Sequence, residues 1–361
     1  MEPILYLLGF NVCLLVALFS RGQLIRKARN RFAFKGIAIV ASAVFMLGLV
    51  AAPVHAAVLV EYYHSNGPVR PWDIACDVSA NRAFFTEPGA NRIGLIEWGP
   101  ARFTWWVIPS VGSGPYGISL GPEIATDQGT FVWFTEETKS KIGRLNPLTG
   151  EIIEWDTLTS GSAPRGIWVD AKNKTVWFTE YLGNRIGSLT YLPGIGWKMA
   201  EYSQPGMNAP ESILVDKDGV VWFTENGGSR ISRFNPAFGE FTRYQLSDAF
   251  SSPWGIAYDK DGFIWFTSTG GNKIGRLNWW KNQTIGWTIT TDGSQPHEIQ
   301  VDQDYNVWFT EFAGGKIGKF VLGVNTFYEY PTPTPGSQPH GLCVQEPGTV
   351  AFTEAQSNRI G

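Results

Sequence analysis

The hexapeptide KIGRLN occurs twice in this chain, at 141–146 and at 273–278, 132 residues apart. Near-copies share a Lys or Arg followed by Ile, and they stand at regular distances on both sides. They are NRIGLI at 91–96, NRIGSL at 184–189, SRISRF at 229–234, GKIGKF at 315–320 and NRIG at 358–361. A period of 20–50 residues indicates a repeat architecture. We therefore interpret the chain as an array of units, 132 residues being three periods of 44.

A second motif has the same period and ends in Thr followed by Glu or Ser. It is AFFTE at 83–87, VWFTE at 132–136, 176–180, 221–225 and 307–311, IWFTS at 264–268 and VAFTE at 350–354. Each unit holds four short apolar runs bounded by Gly, Asn, Asp and Pro, which is typical of strands. Four strands in each of seven units predict an all-β fold, a seven-bladed β-propeller of four-stranded blades.

The ends of the array indicate how the ring closes. The last unit stops at Gly361, after its third strand, whereas the segment VLVEYYHSNGP at 58–68 resembles the fourth-strand text FYEYPTP at 327–333. We expect residues 58–63 to supply the missing outer strand, which leaves no large open edge between the first and last blades. Residues 57–361 would thus form one propeller, which we expect to be a monomer.

Residues 1–56 differ in composition from the array. An apolar run at 3–19, a basic stretch at 21–35 and a second apolar run at 36–56 follow one another. From Leu24 onward this order is that of a secretory signal cleaved after Ala56, and residues 1–23 would then be an over-extended gene start. The alternative is a two-span membrane hairpin with a basic cytoplasmic loop. Both interpretations place the propeller outside the cytoplasm, secreted or at the cell surface, with membrane contact only through residues 1–56.

Charge and cysteine content exclude several function classes. The chain has a formal net charge of −3, and most of its acidic side chains lie in the array, so nucleic acid is not an expected partner. Three cysteines, Cys13, Cys76 and Cys343, indicate neither a disulfide framework nor a CxxC metal site. Sequons at Asn173 and Asn282 permit glycosylation without establishing it.

One position of each unit is expected to face a common opening. First strands line the central channel of a propeller, so the residue after each first-strand Pro occupies an equivalent place around the ring. These residues are Trp72, Tyr116, Arg165, Glu211, Trp254, His297 and His340. We predict that they converge at one mouth, where a small-molecule or peptide ligand would contact Trp72, Tyr116, Arg165, Glu211 and Trp254.

The two histidines each have an acidic residue at the matching end of the next strand. His340 and Glu354 are equidistant from residue 347 in the connecting turn, and His297 and Glu311 are equidistant from Asp304. We expect each pair to lie on the same rim. The alternative for the second-strand Glu is structural, namely a repeated ion pair with the Lys or Arg that opens the third strand.

The blade text, with P-x-G-I, then VWFTE, then the R-I-G segment, resembles that of the streptogramin B (virginiamycin B) lyases over roughly 58–361. The resemblance implies a carbon–oxygen lyase that linearises a cyclic depsipeptide by elimination, with a His as base and a Mg²⁺ held by acidic side chains. By position the base would be His340 with Glu354, and His297 with Glu311 would rank second. The implied metal ligands are Glu354 and Gln338, although Gln338 offers only a neutral carbonyl oxygen.

Such an elimination needs a base that reaches the α-proton and a cation that faces the charge developing on the adjacent carbonyl oxygen. His297 or His340 can be the base, and Arg165 is a candidate for the cation. Two further hypotheses stay open. The propeller can be a non-catalytic binder of a peptide, a glycan or a small aromatic ligand, or a surface scaffold anchored by its N-terminal segment.

Overall fold

The computed structural model describes residues 59–63, 67, 69–99, 101–126, 128–346 and 348–361. Their strands form seven four-stranded antiparallel sheets, which confirms the predicted seven-bladed propeller. The segment predicted as a signal or an anchor, 1–56, lies outside the described residues. Within the described residues, no helix is long and apolar enough to cross a membrane.

The strands follow the repeat closely. Strand β1 is Tyr62–Tyr63. Blades 1 to 3 comprise β2 Ile74–Asp77, β3 Arg82–Glu87, β4 Arg92–Glu97, β5 Arg102–Val107, β6 Pro115–Glu123, β7 Gln128–Glu136, β8 Lys141–Leu145, β9 Ile152–Asp156, β10 Pro164–Asp170, β11 Thr175–Glu180, β12 Arg185–Leu192 and β13 Gly196–Tyr202. Blades 4 to 7 comprise β14 Pro210–Val215, β15 Val221–Glu225, β16 Arg230–Asn235, β17 Glu240–Gln245, β18 Pro253–Tyr258, β19 Ile264–Ser268, β20 Lys273–Asn278, β21 Gln283–Thr288, β22 Pro296–Val301, β23 Asn306–Glu311, β24 Lys316–Val321, β25 Thr326–Pro331, β26 Pro339–Glu346, β27 Thr349–Glu354 and β28 Arg359–Ile360. Single-turn 3₁₀ helices occupy Val78–Ala80, Pro88–Ala90, Asn226–Gly228, Asp248–Phe250 and Leu322–Val324.

The glycine of the K/R-I-G motif faces the phenylalanine of the preceding strand. A Cβ atom at Gly143 would lie 2.1 Å from the ring of Phe134, and one at Gly275 would lie 2.2 Å from Phe266. The Phe rings are fully buried. In these blades the ring leaves no room for a side chain on the third strand, which accounts for the glycine in both copies of KIGRLN, whereas blade 4 has Ser232 at the equivalent position opposite Phe223.

Tryptophans of the second strands fill the space between neighbouring blades. Trp222 of blade 4 packs in one cluster with Ile256 and Phe266 of blade 5. Trp265 of blade 5 packs likewise with Ile299 of blade 6. The cores thus lie between the sheets, and they hold each first strand at the channel.

The ring closes where the two ends of the array meet. Tyr62 pairs with Ile360 and Tyr63 with Arg359, so β1 is the outer strand of blade 7, as predicted. Residue 58 of the predicted strand lies outside the described residues. Asn358 adds a latch, because its Oδ1 accepts hydrogen bonds from the backbone N–H groups of Val69 and Arg70, both at 3.1 Å.

A disulfide joins the same two blades, and the sequence interpretation of the cysteines missed it. Cys76 of β2 is bonded to Cys343 of β26, with Cα atoms 5.7 Å apart and a sequence separation of 267. Both cysteines belong to first strands of blades that are neighbours only once the ring has closed. We call this contact between β2 and β26 the seam.

Candidate active site at the channel mouth

A β-bulge displaces each predicted His–Glu pair by one residue. In blade 7, Pro339 is paired with Glu354 and Leu342 with Phe352, so three steps along the first strand match two along the second. A bulge of this kind inserts one unpaired residue and turns its neighbours. Pro339, and not His340, therefore stands opposite Glu354, so the register predicted from equal distances to the turn was wrong by one residue.

The same correction holds in blade 6. Pro296 is paired with Glu311, and the register shifts before Ile299. Counting residues from the turn predicts the register of an unbroken hairpin. It cannot reveal the extra residue, because the bulge lies beyond the turn.

His340 sits at the seam and lines the channel cavity, with one ring nitrogen hydrogen-bonded and the other buried without a partner among the described residues. Its Nδ1 lies 3.1 Å from the carbonyl oxygen of Trp72, and its ring stacks on the Trp72 indole with centroids 3.8 Å apart. Since a carbonyl only accepts hydrogen bonds, Nδ1 carries the proton and Nε2 keeps a lone pair. Nε2 has no hydrogen-bond partner among the described residues, and the side chain is 4% exposed.

Burial keeps the two histidines neutral. Desolvation, with a smaller contribution from His297, holds the pKa of His340 well below its usual range. Burial likewise lowers the pKa of His297 to about 3. His297 is clamped between Trp254 and Phe312, with centroid distances of 4.2 and 4.4 Å, and its ring lies 5.0 Å from that of His340.

Arg165 is held at the mouth by two carboxylates. Its Nε donates to Glu137 at 2.8 Å and its NH1 donates to Glu211 at 2.7 Å, while the guanidinium lies 3.6 Å from the centre of the Tyr181 ring. The Tyr116 hydroxyl donates to the other oxygen of Glu211 at 2.8 Å. Burial is the largest single influence and opposes the charge, yet Glu211, Tyr116 and Glu137 together outweigh it and raise the pKa of Arg165. Arg165 is therefore a rigid, charge-compensated cation.

A cavity of about 500 Å³ opens below this ring of side chains. Of the predicted mouth residues, five line it: Tyr116, Arg165, Glu211, Trp254 and His340. Trp72 and His297 border those residues through the ring contacts described above. The residues that follow the first-strand prolines therefore meet at one opening.

Sequence reasoning overlooked a second tier of mouth residues, those directly after each second strand. Glu137 and Tyr181 hold Arg165, and Phe312 stacks on His297. Thr269 donates to the carbonyl oxygen of Pro296 at 2.7 Å. The signal was present, because the residue after each T-E or T-S pair occupies the same position in every unit.

The second-strand glutamates face the blade corners. Glu354 accepts a hydrogen bond from Ser357 at 2.6 Å and lies near Glu61. Glu311 lies near Lys316 and Glu329. Burial raises the pKa of both Glu354 and Glu311 to about 7, so they hold protons for part of the time at neutral pH.

The predicted ion pair within each corner forms in two blades. Arg92 pairs with Glu87, and Arg230 pairs with Glu225 at 2.9 Å. In blades 2, 3 and 6 the cation that opens the third strand is near an acid of the fourth strand, as with Lys316 and Glu329 at 2.8 Å. Which acid the cation pairs with depends on the fourth strand, because an acidic residue there competes with the second-strand Glu for the cation.

The metal ligands implied by the family resemblance do not assemble a site. Gln338 has φ of 54°, and the residues before the other six first-strand prolines have positive φ as well, so its position serves the backbone turn. Its backbone carbonyl oxygen accepts the N–H of Ala355. In the part of the chain that the structure describes, no three His, Cys, Asp or Glu side chains are grouped to hold a metal ion. A carboxylate and a neutral amide are a poor donor set for Mg²⁺.

Comparisons with known proteins agree with this architecture. The model of the virginiamycin B lyase family matches residues 123–361. A virginiamycin B lyase from Nocardia farcinica is 29% identical over 118 residues, which are 33% of this chain and 36% of the relative's length. The crystal structure of virginiamycin B lyase from Staphylococcus aureus superposes with a TM-score of 0.74 at 31% identity, covering 83% of this chain and 97% of that one. A catalytically inactive histidine-to-alanine variant of the same enzyme, solved with quinupristin, gives the same values.

Proposed function

This chain belongs to the virginiamycin B lyase family, and we propose that it linearises a cyclic depsipeptide by elimination at the ester bond. The observation that carries the proposal is the state of His340. Its Nδ1–H is fixed by the Trp72 carbonyl, which leaves an unprotonated Nε2 in the cavity. A general base needs a nitrogen with a free lone pair, on a side chain that borders the ligand cavity.

In the proposed reaction, Nε2 of His340 removes the α-proton of the residue that carries the ester oxygen on its β-carbon. The electron pair of the C–H bond forms a double bond between the α- and β-carbons. The bond from the β-carbon to oxygen breaks, and its electron pair leaves with the carboxylate. No water is consumed, so the linear product has the mass of the cyclic substrate.

Charge that develops on the carbonyl oxygen next to the α-carbon requires stabilisation. Arg165 is the cation among the described mouth residues, and Glu137 and Glu211 fix its orientation before the ligand arrives. A donor that does not have to reorganise during the reaction contributes most. Glu354 and Gln338 are a poor donor set for Mg²⁺, so the proposal assigns the stabilisation of this charge to Arg165.

Quinupristin is the probe for this proposal, since a family member was solved with it. The full chain would be incubated with quinupristin and the products followed by liquid chromatography and mass spectrometry, with and without a chelator. We expect a ring-opened product of unchanged mass. A product heavier by one water would indicate hydrolysis, and no conversion of this or related cyclic esters would reject the lyase proposal.

We also propose that the propeller works outside the cytoplasm. The Cys76–Cys343 disulfide supports this, because such bonds persist mainly in oxidising compartments. Mass spectrometry of the native protein distinguishes a mature chain beginning near Ala57 from one that retains residues 3–56. Native protein recovered only from the cytoplasm would overturn the proposal.

A non-catalytic binding propeller is the second candidate, and the stacked rings at the mouth favour it. Trp72 and Trp254 present aromatic faces beside the cavity without being needed for the blade cores. In that case quinupristin would bind and be released unchanged, and Trp254→Ala would weaken its binding.

A further inference from the structure

Two acidic side chains, Asp73 and Glu298, project into the channel below the mouth residues. Each follows the mouth residue of its blade, Trp72 and His297, by one position. Both line the cavity of about 500 Å³. They lie deep within the ring yet stay partly accessible, because the channel reaches them.

The other blades leave this level of the channel almost free of side chains. The equivalent residues are Gly117, Gly166, Ser212, Gly255 and Gly341. A Cβ atom at Gly341 would lie 2.7 Å from the Cα atom of Asp73, and one at Gly255 would lie 2.5 Å from the carbonyl oxygen of His297. Asp73 and Glu298 are therefore the charged side chains at this position of the first strands, where the other blades have glycine or serine.

The two carboxyls are held differently. Asp73 is anchored, since its oxygens accept the backbone N–H groups of Ile74 at 2.8 Å and Ile118 at 3.0 Å. The Glu298 carboxylate accepts one backbone N–H, that of Ile299, where Asp73 accepts two, and it is close enough to Asp73 for their charges to interact. Glu298 is thus the adaptable member of the pair.

Other features of the same cavity are independent of the two acids. Nε2 of His340, on a side chain that is 4% exposed, is a buried hydrogen-bond acceptor without a donor. The aromatic faces of Tyr116 and Trp254 line the same space. Acceptors and aromatic faces together suit an organic ammonium group, which is stabilised by both hydrogen bonds and cation–π contact.

We infer that the channel binds a protonated aliphatic amine of its ligand between Asp73 and Glu298. An ammonium group fits better than a metal ion, because no three ligating side chains are grouped among the described residues. The inference deepens the proposed function by naming a feature of the substrate. It rests on that function only for placing the ligand in this mouth.

The pKa values of Asp73 and Glu298 are both raised, as expected for two buried carboxyls that lie close to each other. Burial, and then the charge of Asp73, raise the pKa of Glu298 to about 8, and burial raises the pKa of Asp73 to about 6. The other charged or titratable groups bordering the pair are Glu211, Arg165, Tyr116, His297 and His340. Amine affinity should therefore rise from pH 6 to pH 8, as Glu298 ionises.

Calorimetric titration of the full chain with phenethylammonium and with 2-phenylethanol tests the inference, since the probes are similar in shape and differ in charge. At pH 7 and low salt we expect the amine to bind roughly tenfold tighter, which is ~1.4 kcal/mol. Glu298→Gln should abolish this preference and its pH dependence. Glu240→Gln, a change of an exposed acid on β17, should preserve both.

Equal binding of the two probes by the wild type would overturn the inference, as would a preference that survives in Glu298→Gln. Absence of binding by either probe would overturn it too. Circular dichroism controls for the fold of Glu298→Gln, whose side-chain amide oxygen can still accept the N–H of Ile299. Because probe binding is measured without turnover, a failure of the amine inference can be distinguished from a failure of the lyase proposal.

Discussion

At the scale of single residues, His340 and His297 lie 5.0 Å apart but are held in different ways. His340 has a fixed tautomer because Nδ1 meets the Trp72 carbonyl across the seam. His297 is clamped between the Trp254 and Phe312 rings, and its Nδ1 has no partner among the described residues. His340 is therefore the oriented base, whereas His297 is held by ring stacking. The two residues share the Pro-His motif, so the sequence alone does not distinguish them.

Nuclear magnetic resonance of ¹⁵N-labelled imidazoles tests this assignment directly. We expect His340 to be the Nδ1–H tautomer and to remain neutral at pH 5.5, because burial and His297 lower its pKa. An exposed histidine, with a pKa of about 6.5, would be mostly protonated there. Titration of His340 near pH 6.5, or an Nε2–H tautomer, would contradict the account of the mouth.

At the scale of strands and blades, the repeat predicted nearly everything that depends on spacing. It predicted the strands, their number and the closing strand, of which Tyr62 and Tyr63 are paired as expected. The bulge that moves His340 away from Glu354 was missed, because an extra residue within a first strand leaves the period unchanged. The Cys76–Cys343 bond was missed although the alignment places both residues on first strands of blades adjacent around the ring.

The Cys76–Cys343 disulfide at the seam should stabilise the folded propeller. Reducing it, or replacing both cysteines in Cys76→Ser/Cys343→Ser, should lower the free energy of unfolding by roughly 2–4 kcal/mol, because the cross-link restricts the unfolded chain. The β1–β28 pairing and the Asn358 latch should keep the ring closed at moderate temperature. Thermal unfolding with and without reductant measures the effect. Equal melting temperatures, or two alkylatable thiols at these positions without reductant, would contradict it.

At the scale of the whole molecule, buried carboxyls recur around the ring. Burial raises the pKa of Glu136 to about 8 and those of Glu180, Glu311 and Glu354 to about 7. In the unfolded chain such groups ionise near pH 4.5, so the folded state keeps protons that the unfolded state has lost. Stability must therefore fall as pH rises through the folded-state pKa values.

In the window from pH 6.5 to pH 8.5 the depressed pKa values of His297 and His340 leave both rings neutral in the folded state. In the unfolded chain the two rings are about half protonated at pH 6.5, so their loss of protons offsets part of the carboxyl effect. We expect a loss of about 2 kcal/mol across this window, equivalent to roughly 4–8 °C in melting temperature. Glu311→Gln removes one titrating group and should flatten the slope, whereas Glu240→Gln should not. A melting temperature that rises with pH across the window would contradict the prediction.

The central claim is that His340 acts as the base of an elimination, and single-turnover kinetics of His340→Ala with quinupristin tests it most directly. Rates would be compared with those of the wild type, together with equilibrium binding and melting temperature. We predict a fall in rate of roughly 10²–10⁴, with binding and melting temperature nearly unchanged, because the side chain lies at the channel and outside the blade cores. Equal rates in the two proteins would contradict the claim.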